Sequence, residues 1–427
     1  MSTFKSRSAG RVHVHTLPST RFRTKDLSIR LHTPLTRETV TSVAMLPYMW
    51  MNGTSKHPST RDLSIASDEL YGTIIRTSLS KRGAYQVLEI SASIPDVSSL
   101  TDEEVVTKAA DLACEVLVDH ARGQVAFSSS AVAQEIDLHK RRIEAVRDDK
   151  MGYALQRCMA EVAADSAVAL PRLGMMEDLP GLTPDALYDA YESVLQSCEA
   201  NVYLVGPYTD ADALADKLIQ QLQRVLPGDS LRAELRVDAL AVDGQSVRTV
   251  KEAQDVMQAQ LDVGYRTGVN LADKKYPALV MMNGVLGGFA HSKLFQNVRE
   301  KNSLAYTVWS HLDGMTGILA VMTGIEPSKY QQALDIIQEQ LVEIQHGHVT
   351  DEEMLFTYRG LKNQYTVWLD QPSALANLHY NGILAGKPRE VADMLEALSS
   401  VSKEDVVQAA ALLQPHTIYF LTGEGDA

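Results

Sequence analysis

Two side chains able to hold a peptide carbonyl lie close together in the second half of the chain. Arg299 and Tyr306 are seven residues apart and follow a glycine pair, Gly287 and Gly288. Arginine and tyrosine can donate hydrogen bonds to carbonyl oxygens, and glycines at the edge of a helix allow another backbone to approach. The pattern therefore indicates a site for a peptide main chain. The alternative, favoured on residue types alone, is structural: Arg299 pairs with an Asp, and Tyr306 fills the core with its hydroxyl at the edge.

Other groups that could do chemistry are weaker candidates. His346 and His348 could bind a metal ion, but they follow a helical pattern, where His commonly caps carbonyls. His13 and His15 alternate on a strand pattern and are expected to be surface residues. The glycines over 284–288 are not followed by Gly-Lys-Ser/Thr, so a phosphate loop is not predicted. No Ser or Cys lies in a nucleophile-elbow pattern.

The composition favours a globular cytoplasmic protein with more than one domain. The 427 residues exceed one ordinary core, and the net charge of −14 argues against nucleic acid and against an anionic membrane surface. We expect no secretory signal and no membrane span, because no apolar run approaches about 20 residues. Cys114, Cys158 and Cys198 are odd in number and far apart, which favours reduced thiols.

Apolar periodicity predicts the elements that position these groups. In the first half it predicts strands over 12–17, 26–31, 74–79, 85–93 and 201–206, and helices over 36–52, 59–70, 102–118, 131–148 and 183–195. Pro47 is expected to interrupt the first of these helices, because it lacks a backbone donor and crowds the carbonyl four residues back. In the second half it predicts strands over 258–265, 307–311, 317–323 and 418–422, and helices over 277–286, 295–301, 328–345, 351–368, 375–385 and after 403.

The two halves follow one plan, which indicates an internal repeat. In each half a strand leads into an apolar helix that ends at glycine, a hairpin follows, and a short strand closes the half. Glycine, proline and aspartate between the halves indicate a linker over 231–248. We therefore predict two α+β domains of similar plan, over 1–230 and 249–427.

The stretch around the glycine pair resembles the C-terminal domain of the M16, or pitrilysin-like, peptidases. That family has Asn-x-x-Leu-Gly-Gly, then Ser-x-Leu-Phe, then Arg-Glu-Lys-x-x-Leu-Ala-Tyr. The matching positions are Asn283, Leu286, Gly287, Gly288, Ser292, Leu294, Phe295, Arg299, Glu300, Lys301, Leu304, Ala305 and Tyr306. The resemblance implies an α+β fold of two homologous domains, each an antiparallel-rich mixed sheet with helices packed on one face. Together they would form the half clamshell of the LuxS/metallopeptidase-like type, with Arg299 and Tyr306 contacting substrate backbone.

The catalytic motif of the resembled family is absent. Active members have His-x-x-Glu-His, in which both His bind Zn²⁺ and the Glu takes a proton from the metal-bound water. Aligned on the Asn-Gly-Thr at 52–54, the ligand positions fall on Ala44 and Tyr48, and the base position falls on Pro47. Neither this motif nor His-Glu-x-x-His occurs anywhere in the chain.

The third zinc ligand of the family, a Glu, is also replaced. It lies one or two turns after another Glu, for which Glu135 is the match, and so falls at Arg142. The neighbouring Lys140 and Arg141 are basic as well. A cation at this position would repel Zn²⁺, so we expect no metal and no cofactor in this chain.

The resemblance therefore implies a noncatalytic subunit of a heterodimeric M16 metallopeptidase. Its partner would be a separate chain with His-x-x-Glu-His and the zinc ion, and the substrate would be a peptide. The segments at 35–41 and 68–72 resemble the bacterial YmfF-like type, whose inactive member is encoded beside an active one. Two alternatives stay open: a structural core protein without a peptidase partner, and a homodimeric peptide-binding protein.

Overall fold

The computed structural model describes residues 3–96, 102–119, 127–231, 237–242, 244 and 246–423. The strands are β1 (Lys5–Ala9), β2 (Val12–Pro18), β3 (Thr24–Pro34), β4 (Ile74–Arg82), β5 (Tyr85–Pro95), β6 (Glu199–Gly206), β7 (Arg248–Ala253), β8 (Ala259–Arg266), β9 (Ala305–Asp313), β10 (Ile318–Ile325) and β11 (Gln414–Thr422). The α-helices are α1 (Val40–Trp50), α2 (Thr60–Glu69), α3 (Asp102–Val118), α4 (Ser129–Ala145), α5 (Lys150–Val162), α6 (Pro184–Ser197), α7 (Ala211–Gln223), α8 (Tyr276–Asn283), α9 (Tyr330–Gln345), α10 (Asp351–Trp368), α11 (Pro372–Leu384), α12 (Val391–Ser399) and α13 (Lys403–Ala411).

The strands form two mixed sheets of the same plan. The first has the order β1-β2-β6-β3-β5-β4, and the second has the order β7-β11-β8-β10-β9. In each sheet one pair is parallel, β2 with β6 and β7 with β11, and the remaining pairs are antiparallel. Without β1, the two strand orders are equivalent position by position. The predicted α+β class is therefore confirmed.

The chain forms two compact units that are discontinuous in sequence. One contains residues 1–144, 170–236 and 370–380, and the other contains 145–169, 237–369 and 381–427. The segments 145–169 and 370–380 thus belong to the unit built mainly from the other half of the chain. The predicted domains at 1–230 and 249–427, joined by a linker at 231–248, stay a prediction. Part of that linker, at 232–236, 243 and 245, lies outside the described residues.

Helix α1 continues through Pro47 to Trp50, so the expected interruption at Pro47 was wrong. Most of its residues are buried, and it packs against β4, β5 and α6. The Thr77 hydroxyl donates a hydrogen bond of 2.5 Å to the Pro47 carbonyl. Packing on several sides therefore holds the helix across a residue that would weaken it in isolation.

The expectation that His13 and His15 are surface residues was also wrong. Both are buried, and the His13 Nε2 lies 3.0 Å from a Glu199 carboxylate oxygen, while the His15 Nε2 lies 3.1 Å from Asn201 Oδ1. Burial raises the pKa of Glu199, but the hydrogen bonds from His13 and Ser230 outweigh it and lower the pKa to about 2. These groups are structural members of a polar layer on the first sheet.

Candidate functional site

The first group of candidate residues lies on helix α1, which also supplies much of the core of the first unit. Ala44 is completely buried, and Pro47 is buried with its carbonyl bonded to Thr77. Tyr48 is half-buried and extends toward helix α4. The helix therefore presents a methyl group, a proline ring and a phenol at the positions aligned with the zinc motif.

Helix α4 meets Tyr48 with a cation. The Cζ atom of Arg142 lies 3.9 Å from the centroid of the Tyr48 ring, which is a close cation–π contact. The same guanidinium is hydrogen bonded to the buried carboxylate of Glu135, two turns earlier on the helix. Burial raises the pKa of Glu135, and the charge of Arg142 opposes that rise. The structure thus brings Tyr48 of α1 together with Glu135 and Arg142 of α4, which are far from it in sequence.

His139 completes this cluster and was missed by sequence reasoning. It lies one turn after Glu135 on the buried face of α4, and its ring is 5.8 Å from that of Tyr48, edge to face. Its Nε2 lies 2.7 Å from the Leu173 carbonyl oxygen and donates to it. Burial lowers the pKa of His139, and the charge of Arg142 adds to that effect. The helical spacing of Glu135, His139 and Arg142 was the signal that could have identified it.

This cluster does not fit a zinc ion. Ala44 and Pro47 offer no side-chain donor or base, the Tyr48 ring is covered by a guanidinium, and the Arg142 cation repels a divalent metal. The remaining carboxylate, Glu135, is already bound to that cation. In the described part of the chain, no three His, Cys, Asp or Glu side chains form a group that could hold a metal ion.

The glycine pair follows helix α8 in a π-helical segment, Gly284–Gly288. Gly287 is buried against strand β9, where an added Cβ would lie 2.7 Å from both the backbone nitrogen and the Oγ of Ser310. Gly288 is exposed, and a Cβ there would be 3.3 Å from its nearest neighbour, the Asn283 carbonyl oxygen. Glycine is therefore required at 287 by packing, and Gly288 is the member of the pair that a peptide could approach.

Arg299 lies in a second π-helical segment, Phe295–Lys301, and Tyr306 follows that segment in strand β9. The Arg299 Cζ is 4.7 Å from the Phe295 ring centroid and 5.7 Å from that of Tyr306. Its carboxylate neighbour is the adjacent Glu300 at 3.7 Å, and both side chains are partly exposed. Tyr306 is 76% exposed.

The exposure of Tyr306 excludes the structural alternative in which it fills the core. It occupies a bulge at the start of β9, because Ala305 pairs with Ile325 and the next pair is Thr307 with Gly324. A bulge redirects a side chain out of the regular alternation of a strand. Ser303, with a positive φ of 49°, turns the chain just before it. The turn and the bulge together present the phenol beside the Arg299 guanidinium.

The chain belongs to the M16 peptidase family. A family model described as "Peptidase M16 inactive domain" matches residues 181–357. The chain is 34% identical over 431 residues to the probable inactive metalloprotease YmfF of Bacillus subtilis, with 100% of this chain and 99% of that protein covered. These matches support a noncatalytic member of the family.

Two further matches extend over most of the chain. An uncharacterized zinc protease of Streptomyces coelicolor is 25% identical over 412 residues, with 93% of this chain and 83% of that protein covered. The crystal structure of a conserved protein from Enterococcus faecalis V583 superposes with a TM-score of 0.90 at 27% identity, covering 99% of both chains. No helix that the structure describes has the length and apolar character required to cross a membrane.

Proposed function

We propose that this chain is the noncatalytic subunit of a heterodimeric zinc metallopeptidase. It would form half of a chamber in which peptides are degraded, and it would supply Arg299 and Tyr306 to the active site of its partner. The partner would be a separate, cytoplasmic M16 chain with His-x-x-Glu-His, and its zinc ion would supply the activated water. One observation carries the proposal: the exposed phenol of Tyr306 lies beside the guanidinium of Arg299. The carboxylate that pairs with this guanidinium belongs to the adjacent, exposed Glu300.

The chemistry of the pair suits a peptide carbonyl. A guanidinium and a phenol are both donors, so both can bind the carbonyl oxygen of the peptide bond that is cut. As charge develops on that oxygen, these hydrogen bonds strengthen, which lowers the barrier to hydrolysis. The exposed Gly288 would leave room for the substrate backbone beside them.

A reconstituted mixture of the two chains tests the proposal. Each purified chain alone should show little cleavage of a fluorogenic peptide, and the mixture should cleave it. In the mixture, Arg299→Ala combined with Tyr306→Phe should lower kcat by roughly 100-fold, since removal of one oxyanion donor costs about 100- to 1000-fold. The partner should retain its zinc and its affinity for this chain.

The control is Arg359→Ala, which removes a different exposed arginine on α10. It should leave the rate of the mixture unchanged. A mixture that cleaves equally fast with wild-type and doubly substituted chains would exclude the role proposed for Arg299 and Tyr306. Loss of the complex itself, seen by size-exclusion chromatography, would assign the two residues to assembly instead.

A second candidate is a peptide-binding or structural homologue that works without a peptidase partner. It is favoured by the exposed strand β9, which could bind peptide by itself. Size-exclusion chromatography with and without the candidate partner separates the two functions. A stable complex supports the heterodimer, and peptide binding without any complex supports the second candidate.

A further inference from the structure

We infer that strand β9 and the indole of Trp309 form a subsite for an extended peptide segment with a large apolar side chain. The inference rests on the proposed function, because it concerns the same peptide that Arg299 and Tyr306 would contact. It adds two features: pairing of the peptide with the free edge of β9, and selection of its side chain by Trp309.

The free edge of β9 lacks the charges that protect the other outer strands. Exposed strand edges are usually protected by charged side chains, because their unpaired backbone groups attract other strands. The outer strands β1, β4 and β7 each have several charged residues: Lys5 and Arg7; Arg76, Lys81 and Arg82; Arg248, Lys251 and Glu252. Strand β9 has no Lys, Arg, Asp or Glu before its last residue, Asp313. Of the described sheet edges, this one is therefore the best suited to accept another strand.

Strand β9 pairs with a neighbouring strand on one side only, and Gly287 packs against the backbone nitrogen of Ser310. Within the described ranges, residues 306–312 make backbone hydrogen bonds to β10 and to no other segment. Because β9 is the outermost strand of its sheet, every second N–H and C=O points away from β10. An extended peptide could bond to these groups as an added strand.

Trp309 gives this edge an apolar surface. It is 49% exposed, whereas Trp50 is completely buried and Trp368 packs on the Tyr365 ring at a centroid distance of 4.7 Å. Val308 and Ser310 are buried, so the alternation of the strand directs Trp309 outward. Covering the exposed half of the indole with an apolar side chain would bury apolar surface and favour binding.

The occupant is a substrate peptide, because the edge is continuous with the proposed carbonyl site. Tyr306 begins the strand, and Arg299 lies beside it. A segment paired with β9 would therefore extend from these two donors past Trp309. Since the side chains of a strand alternate, one side chain of the peptide would face the indole. A Phe, Leu or Met at that position would bury the ring surface.

Peptide binding to the isolated full chain tests the inference without the partner. The probe is a flexible peptide of Gly, Ser and Lys with one central Phe, compared with the same peptide containing Ser instead. The Phe peptide should bind about tenfold more tightly, which corresponds to burial of part of an aromatic side chain. Trp309→Ala should remove this difference, and Ile65→Ala, which removes an exposed apolar side chain on α2, should preserve it.

Backbone methylation tests the strand pairing. Two versions of the Phe peptide are compared, one methylated on every odd-numbered amide and one on every even-numbered amide. Only one of these two registers of methylation should weaken binding, because only one set of amides faces β9. Equal binding in both registers would overturn the pairing, and equal affinity for the Phe and Ser peptides would overturn the subsite. A dimer of this chain that disappears with Trp309→Ala would assign the edge to a second copy and overturn the inference.

These outcomes are separate from those of the proposed function. If the mixture requires Arg299 and Tyr306 but Trp309→Ala leaves the preference for Phe unchanged, only the inference fails. If the mixture shows no cleavage but the isolated chain prefers the Phe peptide through Trp309, only the proposed function fails.

Discussion

At the scale of single residues, Tyr48 and Arg142, two positions that the resemblance aligns with the zinc site, belong to a packed cluster with contacts of its own. Tyr48 and Arg142 stack, Arg142 neutralises the buried Glu135, and His139 is held by the Leu173 carbonyl. The cation of Arg142 occupies the position that the family resemblance assigns to a zinc ligand. The cation–π contact of Arg142 with Tyr48 thus joins α4 to α1, and the ion pair of Arg142 with Glu135 lies within α4.

Arg142→Ala should destabilise the first unit, because it leaves Glu135 buried without its cation. Removing one partner of a buried pair costs several kcal/mol, and the partial exposure of Arg142 reduces this to about 2 kcal/mol. Urea denaturation followed by circular dichroism measures the change in the free energy of unfolding.

Arg141→Ala is the matched control for this substitution. Arg141 is the preceding residue on α4 and is exposed, so its loss should change stability by less than about 0.5 kcal/mol. Equal effects of the two substitutions would show that the contacts of Arg142 with Glu135 and Tyr48 contribute no stability.

At the scale of elements, local patterns predicted most strands and helices, and the misses have physical causes. Helix α10 was predicted over 351–368 and begins with a capping box at Thr350 and Glu353. Helix α5 was missed, although Asp149 caps it and Ala154, Cys158 and Val162 repeat at helical spacing. The polar edge strand β7 was partly assigned to the linker, because its charged residues conceal the strand alternation.

The error at His13 and His15 has a different cause. Their alternation was interpreted as a solvent-facing side of a strand. In the fold, that side is covered by the segment 370–380, and the ring of His379 lies 5.0 Å from that of His15. A covering element more than 350 residues away in sequence cannot be inferred from local alternation. The convergence of Tyr48 and Arg142 is equally non-local, and only the family resemblance connected those two positions.

Gly287→Ala should destabilise the packing of the π-helical segment on β9. Its Cβ would lie 2.7 Å from the Ser310 backbone and 2.9 Å from Leu294 Cδ1, so both must move. Overpacking of this kind costs about 1–3 kcal/mol. The free energy of unfolding of the variant measures it.

Gly288→Ala offers the comparison within the same segment. Its nearest contact would be 3.3 Å, and the position is exposed, so the stability should change by less than about 0.5 kcal/mol. Destabilisation by both substitutions to the same extent would contradict the assignment of Gly287 as the packed glycine.

At the scale of the whole molecule, two sheets of one plan carry different side chains at the candidate sites. The unit with α1 and α4 has the Arg142 cation at the position that the resemblance assigns to a metal ligand, and the unit with β9 presents Arg299 and Tyr306 at its surface. This asymmetry is the physical basis for our proposal of a subunit that contributes to peptide hydrolysis without a catalytic centre of its own.

The most direct test is the zinc content of the purified full chain, measured by native mass spectrometry after incubation with Zn²⁺, with peptide hydrolysis recorded on the same sample. We expect no stoichiometric zinc and no hydrolysis in the absence of a partner, and no gain of either when Arg142 is replaced by Ala. One tightly held zinc ion per chain, accompanied by peptide cleavage, would contradict this expectation.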